Sequence, residues 1–292
     1  MTFFFEVMIT GLLVGVMYSL VALGFALIYK ASDVFNFAQG DMSLLAGLAL
    51  VGFLTVMPLW LALLCTIGVM TILAYGTVFI IFRPLLARPP LILFMAAIGL
   101  SFLVQGIGQA IWGTDAKGLN IGIPDDLLII GDLWISSFDL IFGAVAGVLV
   151  LLLILFFQKT RTGRALRAVA DDHEAALSVG IPLLRAWAVT WVIAGIVATV
   201  AGVAWGSRLG VQFSLSLIAL KALPVLILGG IDSIPGAVLA GLLIGAGENL
   251  AEVFIGPYVG GGIQTFFPYL VALVFLWFKP YGMFGKEIIE RV

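Results

Sequence analysis

The chain has 292 residues, of which 63% are hydrophobic and 10% charged, with a formal net charge of −2. Its mean hydropathy of +1.23 excludes an ordinary soluble globular domain and places the chain among polytopic membrane proteins. One cysteine (Cys65) and one histidine (His173) exclude a disulfide framework, a cysteine metal cluster and histidine-based catalysis inside the membrane.

Met1 to Glu6 lacks the basic n-region and small-residue cleavage site of a signal peptide, so the first apolar run, 7–29, is expected to be retained as a span. Further runs fall at 43–57, 59–82, 91–112, 138–157, 187–206, 218–231, 236–256 and 264–278. Most approach the roughly 20 residues that a hydrocarbon layer about 30 Å thick requires. The runs 43–57 and 218–231 are shorter, and are either re-entrant pieces or helices sheltered by their neighbours. The expected fold class is therefore an all-α polytopic membrane protein of about nine transmembrane helices, some short or broken, forming one domain over 1–292.

Asn36-Phe37-Ala38-Gln39-Gly40-Asp41 precedes the short run 43–57. Asp41 is placed to favour a helix start through the helix dipole. Equally, the segment suits a discontinuous helix whose freed backbone lines a cavity, which makes Asn36, Phe37, Gln39 and Asp41 candidates for a translocation path.

The loop 113–137 carries Lys117 against Asp115, Asp125, Asp126 and Asp132, and should face outward. Leu127-Leu128-Ile129-Ile130 and Leu133-Trp134-Ile135 flank Gly131-Asp132, which reads as strand, turn, strand. Such a piece suits either the membrane surface or, through its acidic excess, an extracytoplasmic protein.

The loop 158–186 is the opposite case. Lys159, Arg161, Arg164, Arg167 and Arg185 gather there in a chain that is otherwise poor in charge. Residues 163–179 are good helix formers, and Gly180-Ile181-Pro182 ends the run. Arg164, Arg167 and Asp171 lie along one side. A topogenic basic loop needs arginines but no regular helix with a defined stop, so a helix that docks on a soluble protein is the better reading. Lys and Arg accumulate on the cytoplasmic side. Nine crossings, with the N-terminus outside and the C-terminus inside, put this loop, Arg83, Arg88, Lys279, Lys286 and Arg291 all inside. A re-entrant 43–57 with the N-terminus inside is also permitted, but leaves Lys30 outside.

Gly229-Gly230-Ile231-Asp232-Ser233-Ile234-Pro235-Gly236 forms a second interruption, so each half of the chain has one, as in a transporter with internal repeats. Glu248 and Glu252, four residues apart, share a face of the run 236–256, and Lys221 is positioned to pair with either. Ionisable groups at this depth face a bundle interior, as a structural ion pair or as part of a solute path. Gly11/Gly15, Gly143/Gly147, Gly202/Gly206 and Gly241/Gly245 are G-x-x-x-G pairs that permit close helix approach. No phosphate-binding loop is present, since Gly285-Lys286 lacks the upstream glycine spacing. ATP, if used, binds another subunit. No catalytic set is visible, so no enzyme activity and no cofactor or metal in this chain are expected, and no nucleic-acid partner.

With these motifs assembled, the chain resembles the permease subunits of branched-chain amino acid ABC importers over nearly its whole length. The resemblance rests on Asn36 to Asp41, on Gly163-Arg164-Ala165-Leu166-Arg167-Ala168 through Asp171-Asp172 to Gly180-Ile181, and on Gly229-Gly230 with Ser233-Ile234-Pro235-Gly236-Ala237. It implies the ABC importer permease fold, a bacterial-type inner membrane location, and a coupling helix at 163–180. Gly163, Arg164, Arg167, Asp171, Asp172, Glu174 and Gly180 would engage an ATPase there. Glu174 to Gly180 resembles the opening of the importer signature E-A-A-x-x-x-G. The implied partners are two cytoplasmic ATPase subunits, a paralogous permease or a second copy of this chain, and an extracytoplasmic solute-binding protein. The implied activity is amino acid import by alternating access. Same-family import of urea or small amides is an alternative, as is an ion-coupled secondary transporter using Lys221, Glu248 and Glu252. The family more often has His at Gln39, Glu at Asp41 and Gly at Asp232.

Overall fold

A computed structural model describes residues 2–86, 88–124, 126–131 and 133–285. Asp125, Asp132, Lys286, Arg291 and the side chains of His173 and Glu174 lie outside the described part. Among the described residues, six helices are long and apolar enough to cross a membrane, and three apolar helices are shorter. All nine apolar runs of the sequence fall on helices.

α1 is Thr2–Ser32, α2 Gln39–Leu54, α3 Leu59–Gly76 and α4 Pro90–Trp112. α3 continues through a π-helical turn, Thr77–Phe82, and a short 3₁₀ turn, Arg83–Leu85. The strands β1 (Leu127–Ile130) and β2 (Leu133–Ser136) form an antiparallel hairpin, in which Ile129 pairs with Trp134 and Leu127 with Ser136. α5, Ser137–Lys159, follows β2 directly. The remaining elements are α6 (Arg161–Asp171), α7 (His173–Ser178), α8 (Leu183–Leu209), a 3₁₀ turn (Phe213–Leu217), α9 (Ile218–Gly229), α10 (Ile234–Phe254), the single turn α11 (Gly256–Val259) and α12 (Ile263–Phe278).

The chain divides into two compact units. One comprises Met1–Ala26, Gly122–Val150 and Leu220–Val292, the other Leu27–Ile121 and Leu151–Ala219. In the second unit α2 is the centre, because every residue from Gln39 to Leu50 is buried. A helix that is apolar on all sides can be stable only when surrounded, and α2 packs on α3, α4, α8 and the 3₁₀ turn Phe213–Leu217. The same core joins Met42, Met70, Phe82, Leu93, Ala97, Trp187, Trp191 and Ala194. At about 1.5 Å per residue, the 16 residues of α2 span about 24 Å. Sheltering, rather than length, accounts for its short apolar run.

In the first unit two of the small-residue pairs meet each other. A Cβ on Gly15 would lie 2.9 Å from Leu242 Cα, and one on Gly11 would lie 2.8 Å from Ala246 Cα. Backbone-to-backbone approach of α1 and α10 at these glycines is antiparallel, since Gly11 faces Gly245 and Gly15 faces Gly241. Ser19 Oγ extends the crossing by donating to Val238 O at 3.2 Å.

Contacts near helix ends pair segments far apart in sequence. Glu6 Oε1 accepts from Trp134 N at 2.8 Å, and the rings of Phe3 and Phe254 lie 6.1 Å apart. Met283 N donates to Leu228 O at 2.8 Å and Phe284 N to Gly229 O at 3.1 Å. In the second unit Lys117 and Val211 exchange backbone hydrogen bonds of 2.9 and 2.8 Å.

Candidate functional site

The basic loop forms two helices, where the sequence suggested one uninterrupted run. Thr160 is the N-cap of α6, its Oγ1 accepting from Gly163 N at 2.9 Å. α6 stops at Asp172, whose backbone turns extended (φ −158°, ψ 113°). Asp172 Oδ1 accepts from Ala175 N at 2.9 Å, so its carboxylate starts α7 instead of continuing α6. Gly180, at φ +84°, ends α7 in the left-handed region. Gly180 N donates to Leu177 O and Ile181 N to Ala176 O, each at 3.0 Å, which closes the helix in a Schellman-type stop.

α6 has two chemically opposite sides. Gly163, Leu166 and Val169 are buried, whereas Arg161, Arg164, Arg167 and Asp171 are exposed. Gly163 is required for close packing, because a Cβ there would meet Phe157 Cα at 2.6 Å. α6 and α7 also pack on α8. Leu177 and Val179 are exposed at the α7 end. The result is a polar two-helix element that is anchored on one side and open on the other.

Of the candidate residues of the first interruption, Asn36, Gln39 and Asp41 are buried and Phe37 is half-buried. Asn36 Oδ1 accepts from Ala38 N at 3.1 Å, an Asx turn that breaks the chain between α1 and α2. Its Nδ2 donates to Gln39 Oε1 at 3.2 Å, and Gln39 Nε2 donates to Ala194 O at 3.4 Å. Phe37 stacks at an angle on Phe35 and on Phe94, with centroids 4.9 and 5.1 Å away. Asp41 lies in the first turn of α2, but the N-cap is Ala38 and makes no side-chain cap. The Asp41 carboxylate instead crosses to α4, accepting from Ser101 Oγ and, at 2.7 Å, from Gln105 Nε2. Ser101 and Gln105 were not singled out from sequence. Their i, i+4 spacing of polar groups in an apolar helix was the available signal.

The carboxylates of α10 have separate partners. Lys221 Nζ pairs with Glu248 Oε1 at 2.8 Å, the two side chains being 27% and 5% exposed. Tyr18 OH donates to the same Oε1 at 3.3 Å, and Lys221 Nζ also donates to Gln264 O at 3.2 Å. Glu248 Oε2 is buried without a hydrogen-bond partner among the described residues. Tyr18 thus joins a triad that the sequence had read as lysine and glutamate only. Glu252 takes no part in it. Its Oε1 accepts from Gly262 N and its Oε2 from Gln264 N, both at 2.9 Å, and so the carboxylate caps the start of α12.

At the second interruption, Gly229 and Gly230 lie against the chain's C-terminal segment. Gly230 sits at φ +103°, and a Cβ on Gly282 would lie 2.7 Å from Gly230 N and Ile227 O. The last carbonyls of α9 are satisfied by Met283 N and Phe284 N. Ser233 caps α10, its Oγ accepting from Gly236 N at 3.1 Å. The structure therefore brings Asn36 to Gln39 and Glu248 beside Lys221, while Asp41 meets α4, Glu252 meets the start of α12, and Gly229 and Gly230 meet the segment 282–285.

A family model described as the permease component of branched-chain amino acid transport systems matches residues 7–277. The chain is similar to the high-affinity branched-chain amino acid transport system permease protein BraD of Pseudomonas aeruginosa, at 29% identity over 99% of this chain and 98% of that one. It is likewise similar to the Escherichia coli permease protein LivH of high-affinity branched-chain amino acid transport, at 29% identity over 99% and 98% of the two chains. The probable branched-chain amino acid permease LivH of Methanocaldococcus jannaschii is 27% identical over 92% of this chain and 88% of its own.

Proposed function

The chain belongs to the family of permease components of branched-chain amino acid transport systems, and on that premise we propose that it is the membrane-spanning subunit of an ATP-driven importer of branched-chain amino acids. It forms half of a pore with a related permease or a second copy of itself. Two ATPase subunits bind and hydrolyse ATP on the cytoplasmic side, and an extracytoplasmic binding protein delivers the solute. This chain supplies the path and the mechanical link, with no nucleotide of its own.

One observation carries the reading: the α6–α7 element is amphipathic, with one side anchored on membrane helices and Arg164, Arg167 and Asp171 exposed on the other. A lever needs both properties. The buried contacts of Gly163, Leu166 and Val169 transmit displacement into the bundle. The exposed arginines, with Leu177 and Val179, offer charge and apolar surface to a soluble partner. Asp172 and Gly180 hold the two helices at fixed ends.

Contacts between helix ends support nine crossings. Glu6 meets Trp134, which supports an even number of crossings between them and so counting α2 with α1, α3 and α4. Phe3 meets Phe254, which by the same parity supports counting α9 with α5, α8 and α10. The basic loop and Lys279 then share a side, and the positive-inside rule makes it the cytoplasm, with the N-terminus outside.

The test is reconstitution of the permease with its ATPases and binding protein. Replacing Arg164 and Arg167 together by Glu should abolish solute-stimulated ATP hydrolysis while the chain still inserts and assembles its bundle. Full stimulation in that variant overturns the lever. A panel of leucine, valine, polar amino acids, amides and urea identifies the solute by which member raises hydrolysis.

A further inference from the structure

The β1–β2 hairpin is absorbed neither by the lever nor by the path, yet its two faces are chemically distinct. Strand register fixes which residues share a face. Ile129 and Trp134 are a direct cross-strand pair, with Leu127 two residues away on the same side. Leu127, Ile129 and Trp134 are 61%, 61% and 55% exposed, whereas Ile135, on the opposite side, is 4% exposed. A soluble hairpin turns its apolar side inward and its polar side to water. Here both sides are apolar: one carries the buried Ile135 beside Leu128, which is 40% exposed, and the other is open at Leu127, Ile129 and Trp134 alike.

The surroundings identify what covers the other. β2 ends at Ser136 and the membrane helix α5 begins at Ser137. The hairpin base is closed by Ser137 N to Asp126 O at 2.9 Å and by Ser137 Oγ to Pro124 O at 2.7 Å, so the hairpin cannot lift far from the start of α5. Glu6 holds Trp134 N from the first turns of α1, where Phe3, Phe4 and Phe5 are exposed. The exposed face is therefore continuous with the lipid-facing surface at the ends of two spans. Trp at that level favours the headgroup region, where its apolar ring and polar N–H are both accommodated, and the phenylalanine rings of α1 add apolar surface beside it.

We propose that Leu127, Ile129 and Trp134 form a lipid-contact face that seats the hairpin in the headgroup–acyl boundary of the bilayer. The hairpin is then a horizontal float that holds the starts of α1 and α5 at one depth, and is not a platform for a soluble protein. The acidic residue at its base, Asp126, stays in water, so the lipid contact is apolar and not selective for anionic headgroups.

Nitroxide labels at Leu127→Cys and at Ile129→Cys, each in a Cys65→Ser background and reconstituted in phosphatidylcholine vesicles, report collision with oxygen against a water-soluble nickel chelate. Both should favour oxygen, at depths of about 5–10 Å into the boundary, while a label at Asp126→Cys should favour nickel. Nickel access at 127 and 129 equal to that at 126 overturns the proposal. So does nickel access that is lost only when the binding protein is added, which would make the hairpin a docking platform. On the unaltered chain, a carbene from a bilayer-partitioned diazirine should tag the peptide bearing 127–135. Tagging of α5 without that peptide overturns the proposal as well.

Discussion

Replacing Lys221 by Met should be far more damaging than replacing the whole ion pair. Lys221 and Glu248 are 2.8 Å apart, which at an effective dielectric constant of about 20 corresponds to roughly 6 kcal/mol of attraction. Most of that is offset by desolvation of two groups in a bundle interior. The single substitution loses the attraction but keeps the desolvation, because Glu248 is buried and its Oε2 has no hydrogen-bond partner among the described residues. Only the 3.3 Å contact from Tyr18 OH would remain on Oε1. The expected cost is about 3–5 kcal/mol. Lys221→Met with Glu248→Gln removes both charges and should cost no more than about 2 kcal/mol, leaving a coupling of at least about 1 kcal/mol between the sites. Thermal unfolding in detergent reads this as a drop of roughly 6–20 °C for the single variant and a partial recovery for the double. A double variant as unstable as the sum of its singles would refute the claim that the two side chains act as a pair.

Gly15→Leu should separate α1 from α10, because its Cβ would lie 2.9 Å from Leu242 Cα before the rest of the side chain is counted. The expected loss is about 1–3 kcal/mol or more; a melting temperature equal to wild type would show that the crossing is loose. Gly282→Ala adds a Cβ 2.7 Å from Gly230 N at a residue with φ +78°. It should cost about 1–3 kcal/mol locally, read as faster proteolytic release of the segment 279–285, whereas an unchanged cleavage rate would contradict docking of that segment on α9.

Apolar run length made the helices that carry the nine apolar runs legible, and two apolar runs about the Gly131-Asp132 turn signal gave both strands of the hairpin. The stop at Gly180 was equally readable, because a glycine after a run of helix formers adopts the left-handed conformation at no steric cost. The break at Asp172 was missed for a physical reason: an aspartate inside a good helical run is compatible with continuing the helix or with capping the next one, and its carboxylate chose the second. Glu248 and Glu252 share a helix face, so sequence could not say which one meets Lys221. That choice depends on how far α9 slides along α10. The pairing of Gly229 and Gly230 with Gly282 and Phe284 involves residues about fifty positions apart and leaves no local pattern. Asp41 illustrates the same limit, since its place near a helix start suggested a cap, whereas Ser101 and Gln105 on α4 compete for the carboxylate and hold it.

The most direct measurement is the accessibility of position 167 in intact cells. With Cys65→Ser and Arg167→Cys as the only thiol, a membrane-impermeant maleimide should fail to label from outside, label freely in inside-out vesicles, and lose that labelling when the ATPase subunits assemble. Labelling from outside, or labelling that the ATPases leave untouched, would contradict a cytoplasmic lever held by a nucleotide-driven partner.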